Sequence, residues 1–306
     1  MITLRLAGFV LLMILGVLPG VAGGPLGGDD LARRLDAIAV PAGGRVGVAA
    51  MVLATGETVT RDGAGRYPMQ SVYKLPIAMA VLHAVDGGLL ELDQRVSVGP
   101  EEYISERQHS PLRDNFPHGA TLTLRELLRL AVAESDGTAS DVLLRVLGGA
   151  DRVMDHLQQL GILDIRVLDT EMVIGLDDAV QYLNWATPEA SVVLLHALHT
   201  GRALSGESRA ILLQWMTETG TGRNRLKSLL PPGASVAHKT GTSRTNAAGV
   251  TAATNDIGIV TLPEGRVVAI AVYVCDSPAD QATRERVIAE IARAVIDAAT
   301  APAAPR

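Results

Sequence analysis

A chain of 306 residues, 48% of them hydrophobic, is long enough to bury a large core in one domain or in two closely packed lobes. Only 3% of the residues are aromatic, so Leu, Val, Ile and Ala must build that core. A formal charge of −6 argues against a nucleic-acid backbone as partner, and the single Cys275 excludes an intramolecular disulfide.

The chain opens with a basic residue, Arg5, then 13 almost wholly apolar residues from Leu6 to Leu18, then the small residues Val21-Ala22-Gly23. Residues 1–23 read as a cleavable secretory signal peptide whose apolar part is short for a membrane span. Export to the periplasm or beyond, with no stable membrane anchor after processing, is the expectation. Asp29 to Ala39 places Leu31, Leu35 and Ile38 on one helical face. Arg45 to Leu53 and Thr58 to Thr60, joined through Ala54-Thr55-Gly56-Glu57, predict a β-hairpin.

From Ser71 to about Gly222 the pattern is mostly helical. Leu124 to Glu134 ends at Ser135, Ala139 to Leu147 stops at Gly148-Gly149, Asp151 to Leu160 stops at Gly161, and Pro188 to Leu198 stops near Gly201. A second hairpin follows, Asp256 to Leu262 and Val267 to Val274 about the turn Pro263-Glu264-Gly265-Arg266. Cys275 at its end reads as an inert core thiol. Asp280 to Ala299 is an amphipathic helix. Strands at both ends and helices between predict an α+β fold: an antiparallel sheet flanked by helices, from residues 24–70 and 223–306, with an all-α lobe, residues 71–222, inserted. A cleft between the lobes is the expected site.

Chemistry concentrates in three short motifs. Ser71-Val72-Tyr73-Lys74 puts a hydroxyl and an amine three residues apart at the start of an apolar run. On a helix these share a face, so the amine can take the hydroxyl proton and make Ser71 a nucleophile. Ser135-Asp136-Gly137 comes 64 residues later, and Lys239-Thr240-Gly241-Thr242 a further 104. Of the seven histidines only His196 and His199 have ligand-like spacing, on a helix where such a pair reads as surface or core, so neither metal nor cofactor is expected.

In this order the motifs resemble the serine β-lactamase and penicillin-binding-protein superfamily, and more closely the class A β-lactamases, from about Asp30 to Ala299. Gln70, Ala237-His238, Thr251 to Asp256 and Gln181-Tyr182-Leu183-Asn184-Trp185 resemble the PER and VEB extended-spectrum branch. The resemblance implies hydrolysis of small-molecule β-lactams by a monomer through a Ser71 acyl-enzyme. It implies an oxyanion hole from the N–H groups of Ser71 and Thr242, and Ser135 as proton shuttle beside Lys239. Gln70, Gly137, Thr240, Gly241 and Thr242 become substrate-binding positions. Arg225 is a candidate second cation for the substrate carboxylate, with Arg223 competing for that role.

Turnover requires a base to activate water, and Glu171, in Asp169-Thr170-Glu171-Met172-Val173-Ile174-Gly175, occupies the family's Ω-shaped loop. A D-alanyl-D-alanine peptidase shares the three motifs without that loop, and a lactam sensor acylates without turnover. Three departures stand out. Gly137 replaces an asparagine. Gly175 replaces the side chain that helps hold the hydrolytic water. Asp169 stands where an arginine would pin the loop by a salt bridge.

Overall fold

Strict alternation in the last strand sets the architecture. In Val267–Cys275 the residues Val268, Ile270, Val272 and Val274 enter one hydrophobic cluster, and Ala269, Ala271, Tyr273 and Cys275 enter another. A strand that is apolar on both faces belongs in the middle of a covered sheet. The computed structural model, which describes residues 24–301, places it there. The expected signal segment lies outside the described residues.

The five strands are β1 (Arg45–Val52), β2 (Thr58–Arg61), β3 (Ser235–Thr242), β4 (Thr254–Thr261) and β5 (Val267–Cys275). They are antiparallel in the order β2-β1-β5-β4-β3. Helix α1 (Gly28–Ala39) and the C-terminal helix cover one face, burying Leu31, Leu35, Ile288, Ile291 and Val295 against Val46, Val48 and Val272. Both hairpins and both end helices lie within a residue or two of their predicted bounds. The ladder pairs Lys239 with Ile257, Thr240 with Asp256 and Gly241 with Asn255, so β3 lines the sheet edge with the third motif.

Helices α2 (Lys74–Asp86), α3 (Leu124–Ala133), α4 (Gly137–Leu147), α5 (Ala150–Gln159), α6 (Pro188–His199) and α7 (Gly206–Glu218) lie on the other side. Helix α2 is its axis: Leu75, Ile77, Ala78, Met79, Val81 and Leu82 are all fully buried. A helix apolar on every side must be enclosed by others, and this fixes the N-terminal end that carries Lys74. Side-chain caps fix the other helix starts, Thr123 for α3, Asp136 for α4, Thr187 for α6 and Ser205 for α7. With α8 (Gln281–Thr300), capped by Asp280, the helices are complete apart from short turns.

The segment expected to be all-α departs from that reading in two places. Arg95–Val98 pairs with Ala120–Thr123, and Ile165–Arg166 pairs with Trp185–Ala186. The second ribbon closes the neck of a loop that carries Glu171, and Tyr67–Pro68 adds to it from the other end of the chain. These strands are two to four residues long, too short to show a period-2 pattern. Among the described residues no helix is long and apolar enough to cross a membrane.

Candidate active site

Ser71 sits in a 3-10 turn, Gln70–Tyr73, and α2 begins only at Lys74, which corrects the expectation of a nucleophile on the α-helix itself. The turn still brings the pair together, with Lys74 Nζ 2.8 Å from Ser71 Oγ. Gln70 enters the turn at φ 47°, a left-handed conformation that a non-glycine residue holds only where its surroundings demand it. Those surroundings are close: a Cβ on Gly241 would lie 2.2 Å from the carbonyl oxygen of Met69. Asn255 on β4 donates to the carbonyls of Pro68 (2.8 Å) and Met69 (3.1 Å). Gly241 is therefore what lets β3 run against the nucleophile turn.

Ser135 also has positive φ, 60°, in the turn between α3 and α4. The buried Asp136 carboxylate holds that turn, accepting from Ala139 N (2.8 Å), Leu112 N (2.5 Å) and Ser110 Oγ. The turn delivers two contacts. Its carbonyl accepts from Lys74 Nζ at 2.9 Å, and Ser135 Oγ accepts from Lys239 Nζ at 2.8 Å. Burial, reinforced by the neighbouring Lys74 ammonium, pushes Lys239 well below the ordinary lysine range.

Glu171 starts a short helix, Glu171–Ile174, and is buried at 7% exposure, with Oε1 2.8 Å from Lys74 Nζ. Beside a contact of Tyr182 with Asp276, four side-chain ties hold its loop, and no arginine is among them. Asn184 accepts from the N–H groups of Leu168 (2.7 Å) and Asp169 (2.9 Å) and donates to the Asp169 carbonyl (2.8 Å), doing with a neutral amide what the absent salt bridge would do. Asp141 on α4 accepts from the N–H groups of Glu171 (2.7 Å) and Met172 (2.9 Å); burial pushes its carboxyl up to about 7 against the pull of those donors. Gln70 reaches across to Gln181 at 2.6 Å, so its side chain ties the loop to the nucleophile turn. Gln108 supplies the fourth tie, to the backbone of Glu171.

The two glycine departures have steric causes. A Cβ at Gly137 would lie 2.4 Å from Ile104 Cδ1, and one at Gly175 would lie 2.2 Å from Gln108 Oε1. Neighbouring side chains occupy both places. Asp141 and Gln108 escaped the sequence reading because neither belongs to a motif. The only signal was that Asp141 follows Gly137 by one helical turn, on the face toward the loop.

Arg225, 3% exposed, spends its guanidinium on Glu285, on the carbonyls of Gly241 and Asn255, and on Thr242 Oγ1 at 2.8 Å. Arg225 lines the cavity beside the third motif, and the exposed Arg223 is not among the residues that do. Thr240 Oγ1 is 2.7 Å from Thr221 Oγ1. Together these groups line an open cavity of about 420 Å³ with Arg107 and Arg244 at its rim. Among the described residues no three His, Cys, Asp or Glu side chains converge to hold a metal ion.

This constellation, a buried Lys–Glu pair on a serine with a second Ser–Lys pair facing it, is that of a serine acyl-transfer enzyme. A family model described as the beta-lactamase enzyme family matches residues 30–299. Beta-lactamase VEB-1 of Pseudomonas aeruginosa is 38% identical over 87% of this chain and 89% of its own length. The extended-spectrum beta-lactamase PER-1 of the same organism is 38% identical over 86% and 85%. Among solved structures, a beta-lactamase from Chitinophaga pinensis superposes with a TM-score of 0.86 at 44% identity, covering 89% of this chain and all of that one. The TLA-1 extended-spectrum beta-lactamase gives 0.83 at 40%, covering 87% and 99%. The chain belongs to the beta-lactamase enzyme family, as a class A serine β-lactamase of the PER- and VEB-like branch.

Proposed function

We propose that this enzyme hydrolyses penicillins and cephalosporins through a Ser71 acyl-enzyme, deacylated by water that Glu171 activates. One observation carries the reading: Lys74 Nζ lies 2.8 Å from both Ser71 Oγ and Glu171 Oε1. A protonated lysine cannot act as a base. A proton passed from Lys74 to Glu171 across their contact leaves a neutral amine facing the Ser71 hydroxyl. Ser71 Oγ then attacks the lactam carbonyl as Lys74 takes its proton. The oxyanion develops toward the N–H groups of Ser71 and Thr242. Cleavage of the C–N bond needs a proton on the departing nitrogen, and Ser135, hydrogen-bonded to Lys239, is placed to pass one on. Lys239, Thr240 and Thr242, with Arg225 behind Thr242, favour a carboxylate on the same side.

Deacylation needs the reverse polarity. Once Lys74 has given its proton toward the departing nitrogen by way of Ser135, it takes back the proton held by Glu171 across their contact. The ionised Glu171 then draws a proton from water as that water attacks the acyl carbonyl, and a proton passes to Ser71 Oγ as the ester bond breaks. Export follows from the same reading, with cleavage near Gly24 and work as a monomer in the periplasm. Names of similar proteins, PER-1 and TLA-1 among them, carry the description extended-spectrum, and oxyimino-cephalosporins join the proposed substrates on that ground.

Glu171→Gln tests the mechanism, since it keeps the shape and removes the base. Loss of a positioned base costs about 10²–10⁴-fold. Acylation should slow as well, since an amide cannot take the Lys74 proton, but Lys74 still contacts Ser71 while deacylation loses its base. Mixed with a cephalosporin and weighed intact at intervals, the variant is therefore expected to accumulate an adduct that the parent enzyme clears. Turnover by the variant at the parent rate would remove Glu171 from the mechanism.

A further inference from the structure

Gln108 lies outside all three motifs, on the loop that precedes the short helix Pro111–Asn115, yet it is the side chain in contact with Glu171 where two glycines leave no side chain of their own. Its Nε2 donates to the Glu171 carbonyl oxygen at 2.5 Å and stands 3.4 Å from Glu171 Oε2. An amide nitrogen carries two hydrogens, so one group spans the backbone and the carboxylate of the same residue. Its orientation is set from behind, because Ser105 Oγ donates to Gln108 Oε1 at 3.0 Å. The loop itself is anchored. Arg113 Nη1 donates to the carbonyls of Ile104, Ser105 and Gln108, and Gly137 N donates to the His109 carbonyl at 3.0 Å.

The steric relation to Gly175 completes the picture. A Cβ at 175 would meet Gln108 Oε1, Cδ and Nε2 at 2.2, 2.7 and 2.9 Å. Its three nearest neighbours are thus all atoms of one amide. Gly175 has an ordinary right-handed backbone, φ −71°, so conformation does not require a glycine there. Space does: the Gln108 amide fills the volume that a side chain at 175 would need.

We propose that Gln108 is a positioning residue for deacylation: reaching in from a separate loop, its amide takes the place of a side chain at 175 and holds Glu171 toward the water it activates. This rests on the reading of Glu171 as hydrolytic base. Acylation uses the other carboxylate oxygen: Lys74 contacts Glu171 Oε1 at 2.8 Å, while Gln108 faces Oε2, so the proton path from Ser71 through Lys74 does not run through the amide. Removing the amide should therefore slow the second half of the reaction. An excluded-volume relation also predicts a sign reversal, with an amide at 175 harmful while Gln108 is present and helpful once it is gone.

Gln108→Met keeps the length and packing of the side chain and deletes the donor. Weighing the intact enzyme after a pulse of cephalosporin gives the decay of the acyl adduct. The decay constant is expected to fall about 10- to 100-fold, the range of a hydrogen bond to a charged group. The values of kcat and KM should fall together, leaving kcat/KM within about threefold, a split that general loosening of the site would not produce. Gly175→Asn alone should also slow decay. In the Gln108→Ala background, where the space is open, Gly175→Asn should recover most of the lost rate. Decay of the Gln108→Met adduct at the parent rate, or a fall in kcat/KM as large as that in kcat, would overturn the proposal. So would a folded Gln108→Ala/Gly175→Asn enzyme no faster than Gln108→Ala. Glu171→Gln run alongside separates the two failures. If Glu171→Gln turns over normally, the mechanism is wrong. If it traps the adduct while Gln108→Met does not slow decay, only the role of Gln108 is wrong.

Discussion

The two walls of the cleft are held by different physics. On the β3 wall, Lys239, Thr240, Gly241 and Thr242 hang on a ladder whose register is repeated through β4, β5 and β1. A one-residue slip there would send every side chain of a strand into the wrong one of the two cores, so the whole sheet enforces the position of one lysine. On the Glu171 wall no ladder exists beyond a two-residue neck. Asn184, Asp141, Gln70 through Gln181, and Gln108 hold the loop one hydrogen bond at a time. The strand wall is thus robust to single changes in its surroundings, and the loop wall is the sum of a few replaceable contacts.

Beyond the Glu171 and Gln108 variants, the largest expected effect lies on the strand wall and falls on substrate rather than fold. A charge-assisted contact contributes about 1.5–3 kcal/mol, so Lys239→Ala should lower kcat/KM for a cephalosporin at least about tenfold. The methyl ester of the same substrate should lose much less. Equal losses would place the role of Lys239 with Ser135, whose hydroxyl it contacts at 2.8 Å, and not with the carboxylate.

On the loop wall a substitution should show in stability and turnover at once. Asn184→Ala strands the N–H groups of Leu168 and Asp169 and the carbonyl of Asp169. A fully buried group left unpaired costs about 1–3 kcal/mol, and these part-buried ones cost less because water can reach them. A clear drop in the thermal midpoint with a several-fold loss of kcat is expected. An unchanged midpoint would show that the loop stands without this amide, and the contrast between the walls would fail.

The smallest effect is a slope. Asp141, ordinarily near 3.8, keeps its proton in the folded enzyme up to about 7. Its folded value is raised, so its contribution to stability is fully present below the unfolded value and is lost as pH rises through the folded one. Between pH 4 and 7 it should make the thermal midpoint fall with rising pH, and Asp141→Asn should flatten that part of the profile. Superposable profiles would mean that the Asp141 carboxyl is ionised throughout that range.

What the sequence settled by itself is what local pattern can encode. Alternation of Val and Ile specifies strands, a glycine or a capping side chain marks helix ends, and S-x-x-K, S-D-G and K-T-G-T name the groups at the reacting centre. Gln70, Glu171 and Arg225 were legible too, by their place relative to those motifs. The tertiary structure decided the rest. It buried Arg225 behind Thr242 and left Arg223 exposed, and it moved Ser71 from the α-helix into the turn before it. It also replaced an expected salt bridge by the Asn184 amide and filled the vacancy at Gly175 with Gln108, 67 residues away in the chain. The reason is the range of the forces involved. Backbone periodicity and capping act over a few residues, and a sequence displays them directly. A side-chain amide that satisfies a loop backbone can come from anywhere the fold brings within about 3 Å, and only the assembled core says which residues those are.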